Sequence, residues 1–205
     1  MKKILFLLPI TLLVLACTGQ NPNKVELKTG DVIFQDFSSG LSTPIKLITQ
    51  SDYSHVGVVV MVNGEPKIYE AVQPVRLADV DDWINRNTKG KYVVKRHKKA
   101  DSLFTKEKIT QIEAFYKKHL NKNYDIKFAW SDDDMYCSEL VWKMYKEVFD
   151  VEIGKQQLLE DLDASHPAVK AKLKELFGND IPWKETVVSP QSLYEYEQLT
   201  TVFKN

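Results

Sequence analysis

The chain has 205 residues, enough to bury the core of one domain with a small insertion. Hydrophobic residues make up 43% of the chain and charged residues 27%, as in ordinary globular proteins. Because the formal net charge is zero, electrostatics predict neither nucleic acid nor an anionic membrane surface as a partner.

The N-terminus has the pattern of an export signal. The chain begins MKK, and the apolar run ILFLLPITLLVLA that follows is too short to span a bilayer comfortably. The run ends in VLAC, which predicts a lipoprotein signal peptide over residues 1–16, with cleavage before Cys17 and a lipid on the sulfur of Cys17. Ordinary secretion with cleavage after Ala16 is the alternative. Residues 17–28 are then a short polar tether, and residues 29–205 form the folded domain.

This signal predicts an exported protein of the cell envelope, anchored to a bacterial membrane through Cys17. Thr18 follows the cysteine, so nothing marks retention at the inner membrane, and we expect the outer membrane in a cell that has two. Once Cys17 carries a lipid, Cys137 has no intramolecular partner in an oxidising compartment. Cys137 is therefore a candidate reactive thiol.

Apolar periodicity and turn residues predict strands and helices along the rest of the chain. The segment 54–62 is nearly all apolar, and the Asn63-Gly64 turn after it predicts a return strand over 67–72. The other predicted elements, in chain order, are a strand at 29–37, a short helix at 42–49, a helix at 77–87, a strand at 91–97, helices at 105–121 and 136–149, a polar helical insert at about 155–180, and extended segments at ETVVSP and LTTVF. This order indicates an α+β domain with a meander of antiparallel strands flanked by helices.

Cys137 stands at the start of the helix predicted over 136–149. It opens an apolar stripe with helical spacing, formed by Cys137, Leu140, Val141, Met144, Tyr145 and Val148. The thiol thus faces the core side from the first turn, where free backbone N–H groups and the positive end of the helix dipole favour a thiolate. The aspartates at 132–134 act in the opposite direction, because nearby negative charge disfavours the thiolate.

A thiolate nucleophile needs a base, and the chain has four histidines. His97, His119 and His166 lie in polar or basic segments, and each is interpreted as a solvated surface residue. His55 differs because it begins an otherwise apolar strand, where a polar residue needs a reason. It is the candidate base, with a hydrogen-bonded core histidine as the alternative.

Hairpin geometry supplies a third candidate. If Asn63-Gly64 is a two-residue turn, Val62 pairs with Glu65 and Gly57 pairs with Glu70. Since strand side chains alternate between faces, Glu70 is then a diagonal same-face neighbour of His55, about 7–8 Å away at the backbone and within reach by side chain. Glu70 is the candidate acid that orients the imidazole. An exposed strand glutamate is the alternative.

The spacing of these residues does not support a metal or a cofactor. The chain has no CxxC and no HExxH pattern, and Cys137, His55 and Glu70 come from separate elements. It also lacks the GxSxG, P-loop and GxGxxG patterns. We therefore expect neither a metal nor a cofactor.

Five segments in order resemble the YiiX-type, circularly permuted branch of the NlpC/P60 papain-like cysteine hydrolases. They are GDVIF (30–34), YSHVGVVV (53–60), IYEAV (68–72), YDIKFAW (124–130) and YCSELVW (136–142), with a weaker likeness at VVSPQSL near the end. The resemblance implies a permuted papain-like fold, in which a small antiparallel sheet or barrel carries the nucleophile helix. It implies Cys137 as nucleophile, His55 as base and Glu70 as orienting acid, and it offers no counterpart for the insert at 155–180.

The resemblance and the export signal together predict a cell-envelope cysteine hydrolase that cleaves an amide bond. The expected substrate is a cell-wall peptide or an N-acyl amide, and Tyr53 and Tyr124 are candidates for oxyanion or substrate binding. One alternative is a lipid-directed acyl transferase or esterase. Another is a non-catalytic lipoprotein that binds envelope peptides in the same cleft. The oligomeric state is left open.

Overall fold

The computed structural model describes residues 25–87 and 89–205. The predicted signal peptide, Cys17 and most of the predicted tether lie outside the described residues. The last part of that tether lies inside them, and Val25 and Leu27 pack against a hydrophobic core beside the sheet. Within the described part of the chain, no helix is long and apolar enough to cross a bilayer.

Six strands form one open sheet in the order β4-β3-β2-β1-β5-β8, and every neighbouring pair is antiparallel. The strands of the described residues are β1 (Val32–Gln35), β2 (His55–Val62), β3 (Glu65–Glu70), β4 (Arg76–Asp79), β5 (Tyr92–His97), β6 (Gln156–Leu158), β7 (Thr186–Val188) and β8 (Leu199–Lys204). Strands β6 and β7 pair separately. The predicted α+β class and antiparallel sheet are confirmed, and the sheet does not close into a barrel.

Helices cover both faces of this sheet. They are α1 (Ser42–Thr49), α2 (Val80–Asn85), α3 (Ala100–Leu103), α4 (Lys106–His119), α5 (Cys137–Phe149), α6 (Pro167–Phe177) and α7 (Pro190–Tyr194). Because side chains alternate along a strand, Val56 and Val58 of β2 face one side of the sheet, and Val59 faces the other. Val56 and Val58 join the main core with α4 and α5, while Val59 joins a smaller core around Trp83 of α2.

The β2–β3 hairpin has the predicted register. Val62 lies opposite Glu65, and both turn residues have positive φ, 52° at Asn63 and 84° at Gly64. Such dihedrals are those of the two-residue turn that matches the twist of paired strands. Further along the ladder Val58 lies opposite Tyr69, so the next position outward brings Gly57 to Glu70. The hairpin therefore sets the spacing of His55 and Glu70.

Helix α5 is fixed on the sheet by burial and by one internal hydrogen bond. Leu140, Met144 and Tyr145 are fully buried against the main core. Full burial of side chains of this size contributes about 1.5–3 kcal/mol each. The hydroxyl of Tyr145 donates to the carbonyl of Gly30 over 2.6 Å, which joins the helix to the turn before β1. The start of α5 is thus held at a defined place relative to the strands.

Two predicted helical segments were partly wrong. The segment 77–87 begins as β4, which pairs with β3, and the helix starts only at Val80. The insert at 155–180 begins as β6, which pairs with β7, and its helix is α6. In both places pairing with another strand decides the structure: β4 pairs with the neighbouring β3, and β6 pairs with β7, which is distant in sequence. Local periodicity does not contain this information. Pro167 is the first residue of α6 and Gly178 caps its end, positions that both residue types favour.

Two of the histidines interpreted as solvated are buried instead. His97 packs beside Tyr196, and its Nδ1 accepts a hydrogen bond from the N–H of Lys99. His119 is the last residue of α4, and its Nδ1 lies 3.0 Å from the carbonyl oxygen of Phe115. The prediction was wrong because it relied on the basic residues next to each histidine in sequence, and a lysine-rich segment can still bury one of its faces. His166 is exposed, as predicted, and caps α6.

We expect Gly57→Ala to lower the free energy of unfolding by about 1–3 kcal/mol, because overpacking in a filled core costs that much. A Cβ at this position would lie 2.6 Å from Cγ2 of Ile68 and 3.1 Å from the carbonyl oxygen of Tyr69. Urea unfolding followed by circular dichroism measures the change. Gly40→Ala is the matched control, since a Cβ there meets nothing within 4 Å. Equal stabilities of the two variants would contradict the close packing of β2 on β3.

Candidate active site

The predicted pair of His55 and Glu70 is formed in the structure. Nε2 of His55 lies 2.7 Å from Oε2 of Glu70, and the two residues are 3% and 0% exposed. Glu70 ends β3 and His55 begins β2, so the hairpin register brings them together. Because Nε2 is taken by the carboxylate, Nδ1 is the ring nitrogen left for a thiol.

Cys137 is the first residue of α5, and the segments around it hold it in place. The carbonyl of Met135 accepts from the N–H of Asp125 over 3.1 Å, and the N–H of Met135 donates to the carbonyl of Asn123. Val188 of β7 fixes the helix start from the other side. Its N–H donates to the hydroxyl of Tyr136 over 3.0 Å, and its carbonyl accepts from the hydroxyl of Ser138 over 2.7 Å.

The three groups form a charge-assisted set. Burial alone lowers the pKa of His55, but hydrogen bonds and charge interactions with Cys137 and Glu70 outweigh it and raise the pKa to about 9. Burial likewise tends to raise the pKa of Glu70, yet His55 and Arg86 outweigh it and lower the pKa to about 2. At neutral pH the pair is therefore imidazolium and carboxylate. A cationic imidazole beside a thiol is the environment that favours a thiolate.

Four residues around this pair were not found from the sequence. Arg86 and Arg76 donate to Oε1 of Glu70, and the rings of Phe37 and Trp83 lie 5.3 Å and 6.0 Å from that of His55. Arg76 lies directly opposite Glu70 in the β3–β4 pair. If β4 had been predicted as a strand, its pairing with β3 would have placed Arg76 beside Glu70. No local sequence pattern indicates that Arg86 contacts Glu70.

The two candidate tyrosines differ in their surroundings. Tyr124 is half-buried beside the thiol, and burial and then Cys137 raise the pKa of its hydroxyl, so it stays a neutral donor. The rings of Tyr53 and Tyr194 lie 4.8 Å apart with 38° between their planes, and burial and then the neighbouring Tyr194 raise the pKa of the Tyr53 hydroxyl. The assignment of both tyrosines to oxyanion or substrate binding stays a prediction.

An apolar groove lies beside Cys137 and is lined in part by α1 and α6. The charged residues at its walls are Lys127, Lys172 and Glu185. Cys137 is one of the lining residues, and the apolar lining includes Leu41, Pro44, Ile45, Ile48, Phe128, Leu159, Leu162, Val169, Leu173, Leu176, Phe177, Val187 and Val188. The segment predicted as an insert therefore builds one wall of the groove.

The sequence matches decide the family. Residues 26–203 match the family of permuted papain-like amidase enzymes, YaeF/YiiX, C92 family. The uncharacterized protein YiiX of Escherichia coli K12 is 47% identical over 177 residues, which cover 86% of this chain and 86% of that protein. This chain belongs to the YaeF/YiiX family of permuted papain-like amidases. It is therefore a papain-like cysteine hydrolase, as the five segments predicted.

The fold of a solved YaeF/YiiX-type structure agrees with this membership. The crystal structure of metalloprotein yiiX from Escherichia coli O157:H7 gives a TM-score of 0.83 at 46% sequence identity, covering 87% of this chain and 98% of that chain. The permuted papain-like fold is thus confirmed over nearly the whole described chain. Its permuted order explains why histidine and glutamate precede cysteine.

The solved yiiX structure from Escherichia coli O157:H7 is described as that of a metalloprotein. Over residues 25–87 and 89–205 of the present chain, no three His, Cys, Asp or Glu side chains are placed to share an ion. The oxygens of Glu70 are already occupied by His55, Arg76 and Arg86. The described residues do not fit a metal centre.

We expect the imidazole of His55 to titrate with a midpoint near pH 9 in the wild-type protein and at lower pH in Cys137→Ala. The reason is that the thiol is the strongest of the groups that raise the pKa of His55. NMR of the histidine rings measures the midpoint directly. His97 and His119 serve as internal controls, because burial lowers the pKa of each and neither contacts Cys137. An identical His55 midpoint in both proteins would show that the thiol and imidazole do not interact.

Proposed function

We propose that this chain hydrolyses N-acyl amides, with Cys137 as nucleophile, His55 as acid and base, and Glu70 as the acid that orients His55. The observation that carries the proposal is the apolar groove, whose lining includes Cys137. An amide whose carbonyl carbon sits at the sulfur would place its acyl chain in this groove. The amine would point outward.

In the first step the thiolate of Cys137 attacks the amide carbonyl and forms a C–S bond. The backbone N–H of Cys137, in the first turn of α5, and the hydroxyl of Tyr124 are the proposed donors to the oxyanion. His55 then gives its Nδ1 proton to the departing nitrogen as the C–N bond breaks. Water, deprotonated by the now neutral His55, releases the acyl group as a carboxylic acid.

The lining of the groove favours an acyl chain over a wall peptide. Peptide N–H and C=O groups buried without partners cost several kcal/mol, and apolar walls offer them none. A hydrocarbon chain instead contributes about 0.8 kcal/mol for each buried methylene. Lys127 and Lys172 are the cations available to a carboxylate or phosphate on the substrate. Cell-wall peptides remain the second candidate, because an envelope lipoprotein would meet them.

We expect kcat/KM to rise at least about 100-fold from the acetyl to the octanoyl amide of 7-amino-4-methylcoumarin, because methylenes are buried along the groove. Fluorescence of the released amine measures the rate. Leu176→Asn, on the groove wall, should reduce the octanoyl preference about tenfold. Ile109→Asn is the matched control, since Ile109 is 40% exposed on α4 and outside the groove.

The same assay separates the rival functions. Cys137→Ala should be inactive, and mass spectrometry of the wild-type protein should find the acyl group on Cys137. Turnover of wall peptides without any dependence on chain length would replace the acyl substrate by a peptide. Acyl products of an added alcohol or amine, in place of the free acid, would indicate an acyl transferase. Binding without any turnover would leave a binding module.

We further propose that the enzyme is held at the cell envelope by a lipid on Cys17. The pattern MKK, apolar run and VLAC supports this placement. A lipid anchor would hold the groove close to membrane-borne acyl amides, and one lipidated residue carrying two or more chains is enough for stable anchoring.

The full chain expressed in a bacterium should enter the detergent phase of a Triton X-114 extract, because acyl chains partition into detergent micelles. Cys17→Ala should remain in the aqueous phase, while Cys137→Ala, the other cysteine variant, should partition like the wild-type protein. Mass spectrometry of the N-terminal peptide identifies the lipid. A wild-type protein found in the aqueous phase, beginning after Ala16, would indicate ordinary secretion.

A further inference from the structure

The chain uses arginine sparingly and places it on buried carboxylates. It contains three arginines, Arg76, Arg86 and Arg96, among 28 basic Lys and Arg residues. Arg96 pairs with Asp31, whereas Arg76 and Arg86 both pair with Glu70. Arginine suits such sites because its planar, permanently charged group donates several hydrogen bonds in fixed directions. Two of the three therefore converge on the acid beside His55.

The two carboxylate oxygens of Glu70 have different partners. Oε1 accepts from Nη2 of Arg86 over 2.6 Å and from Nε of Arg76 over 3.1 Å. Oε2 is left for His55, at 2.7 Å. A carboxylate held through one oxygen in this way cannot rotate without breaking two charge-assisted hydrogen bonds.

The same short segment also packs against the imidazole. Trp83 of α2 lies over the ring of His55, with 29° between the ring planes. Arg86, which follows α2, places its guanidinium 5.1 Å from the centre of the Phe37 ring, and Phe37 contacts His55 in turn. The α2 segment thus contacts both members of the acid–base pair.

We propose that Arg86 is a positioning residue, assisted by Arg76, that fixes Glu70 with Oε2 directed at His55 and so fixes Nδ1 of His55 toward the thiol. The inference rests on the proposed function, in which His55 is the base. Arg86 does not line the groove, so it acts through Glu70 and not on the acyl chain.

Removal of Arg86 should shift the protonation midpoint of His55 in a definite direction. The charged or titratable groups around the pair are Arg76, Arg86, Cys137 and, next to the thiol, Tyr124. Without Arg86, the buried carboxylate keeps one cation on Oε1 and becomes easier to rotate or protonate. The imidazolium then loses its acceptor, and the protonation midpoint of His55 falls. If Arg86 only neutralised Glu70, its removal would strengthen the pull of Glu70 on the proton, and the midpoint would rise.

We expect Arg86→Gln to lower the His55 midpoint by about one pH unit, a tenfold change in its protonation equilibrium. The rate of Cys137 alkylation by iodoacetamide at neutral pH should fall about tenfold, because less imidazolium faces the thiol. NMR of the histidine rings and mass spectrometry of the adduct give the two readouts. Arg86→Lys, which keeps the charge without the planar group, should recover part of both losses, and Arg76→Gln should give a smaller change.

Arg96→Gln is the matched control. Its side chain is 20% exposed against 21% for Arg86, and it also pairs with a fully buried carboxylate. It should lower stability without moving the His55 midpoint. An unchanged or raised midpoint in Arg86→Gln, or an equal change in Arg96→Gln, would overturn the positioning role. A wild-type thiol that alkylates slowly, with His55 titrating at an ordinary pH, would instead overturn the proposed function.

Discussion

The burial of one carboxylate is the constraint on which the active-site half of this molecule depends. Glu70 has no exposed surface, and an ionised carboxylate in such a place is unstable unless it is paired and hydrogen-bonded. Its partners come from two strands and a helix end: His55 from β2, Arg76 from β4 and Arg86 after α2. Each of these elements is thereby placed relative to the others. The pairing that lowers the pKa of Glu70 also raises the pKa of His55, beside the larger effect of Cys137.

The apolar groove and the charged set are adjacent, and each affects the other. Residues of α1 and α6 line the groove together with Cys137. Charge interactions in a low-dielectric place are stronger than in water. Because His55 and Glu70 are both buried, their pairing is stronger than it would be in water. A polar groove would weaken the proposed selection of an acyl chain.

The permuted order of the chain has a simple structural consequence. In this member of the YaeF/YiiX family, the hairpin with His55 and Glu70 forms from neighbouring segments, whereas Cys137 arrives much later in the sequence. The pair of His55 and Glu70, proposed as base and orienting acid, is thus a local feature of one hairpin. The place of Cys137, the proposed nucleophile, depends on the long-range docking of α5 against the sheet and on the contacts of α5 and Tyr136 with Val188 of β7. The 155–180 segment lies between α5 and β7 in the chain and forms one wall of the groove.

Features with local causes could be predicted from the amino-acid sequence alone. Asn63-Gly64 set the hairpin register and so the meeting of His55 with Glu70, because a two-residue turn admits few geometries. Helical spacing placed Cys137 at the start of α5, and Pro167 and Gly178 marked the ends of α6. Other features emerge only in the folded chain: the convergence of Arg76 and Arg86 on Glu70, the pairing of β6 with β7, the burial of His97 and His119, and the groove beside Cys137. These depend on which distant segments pack together, and that is settled by the free energy of the whole core, which no local pattern of residues contains.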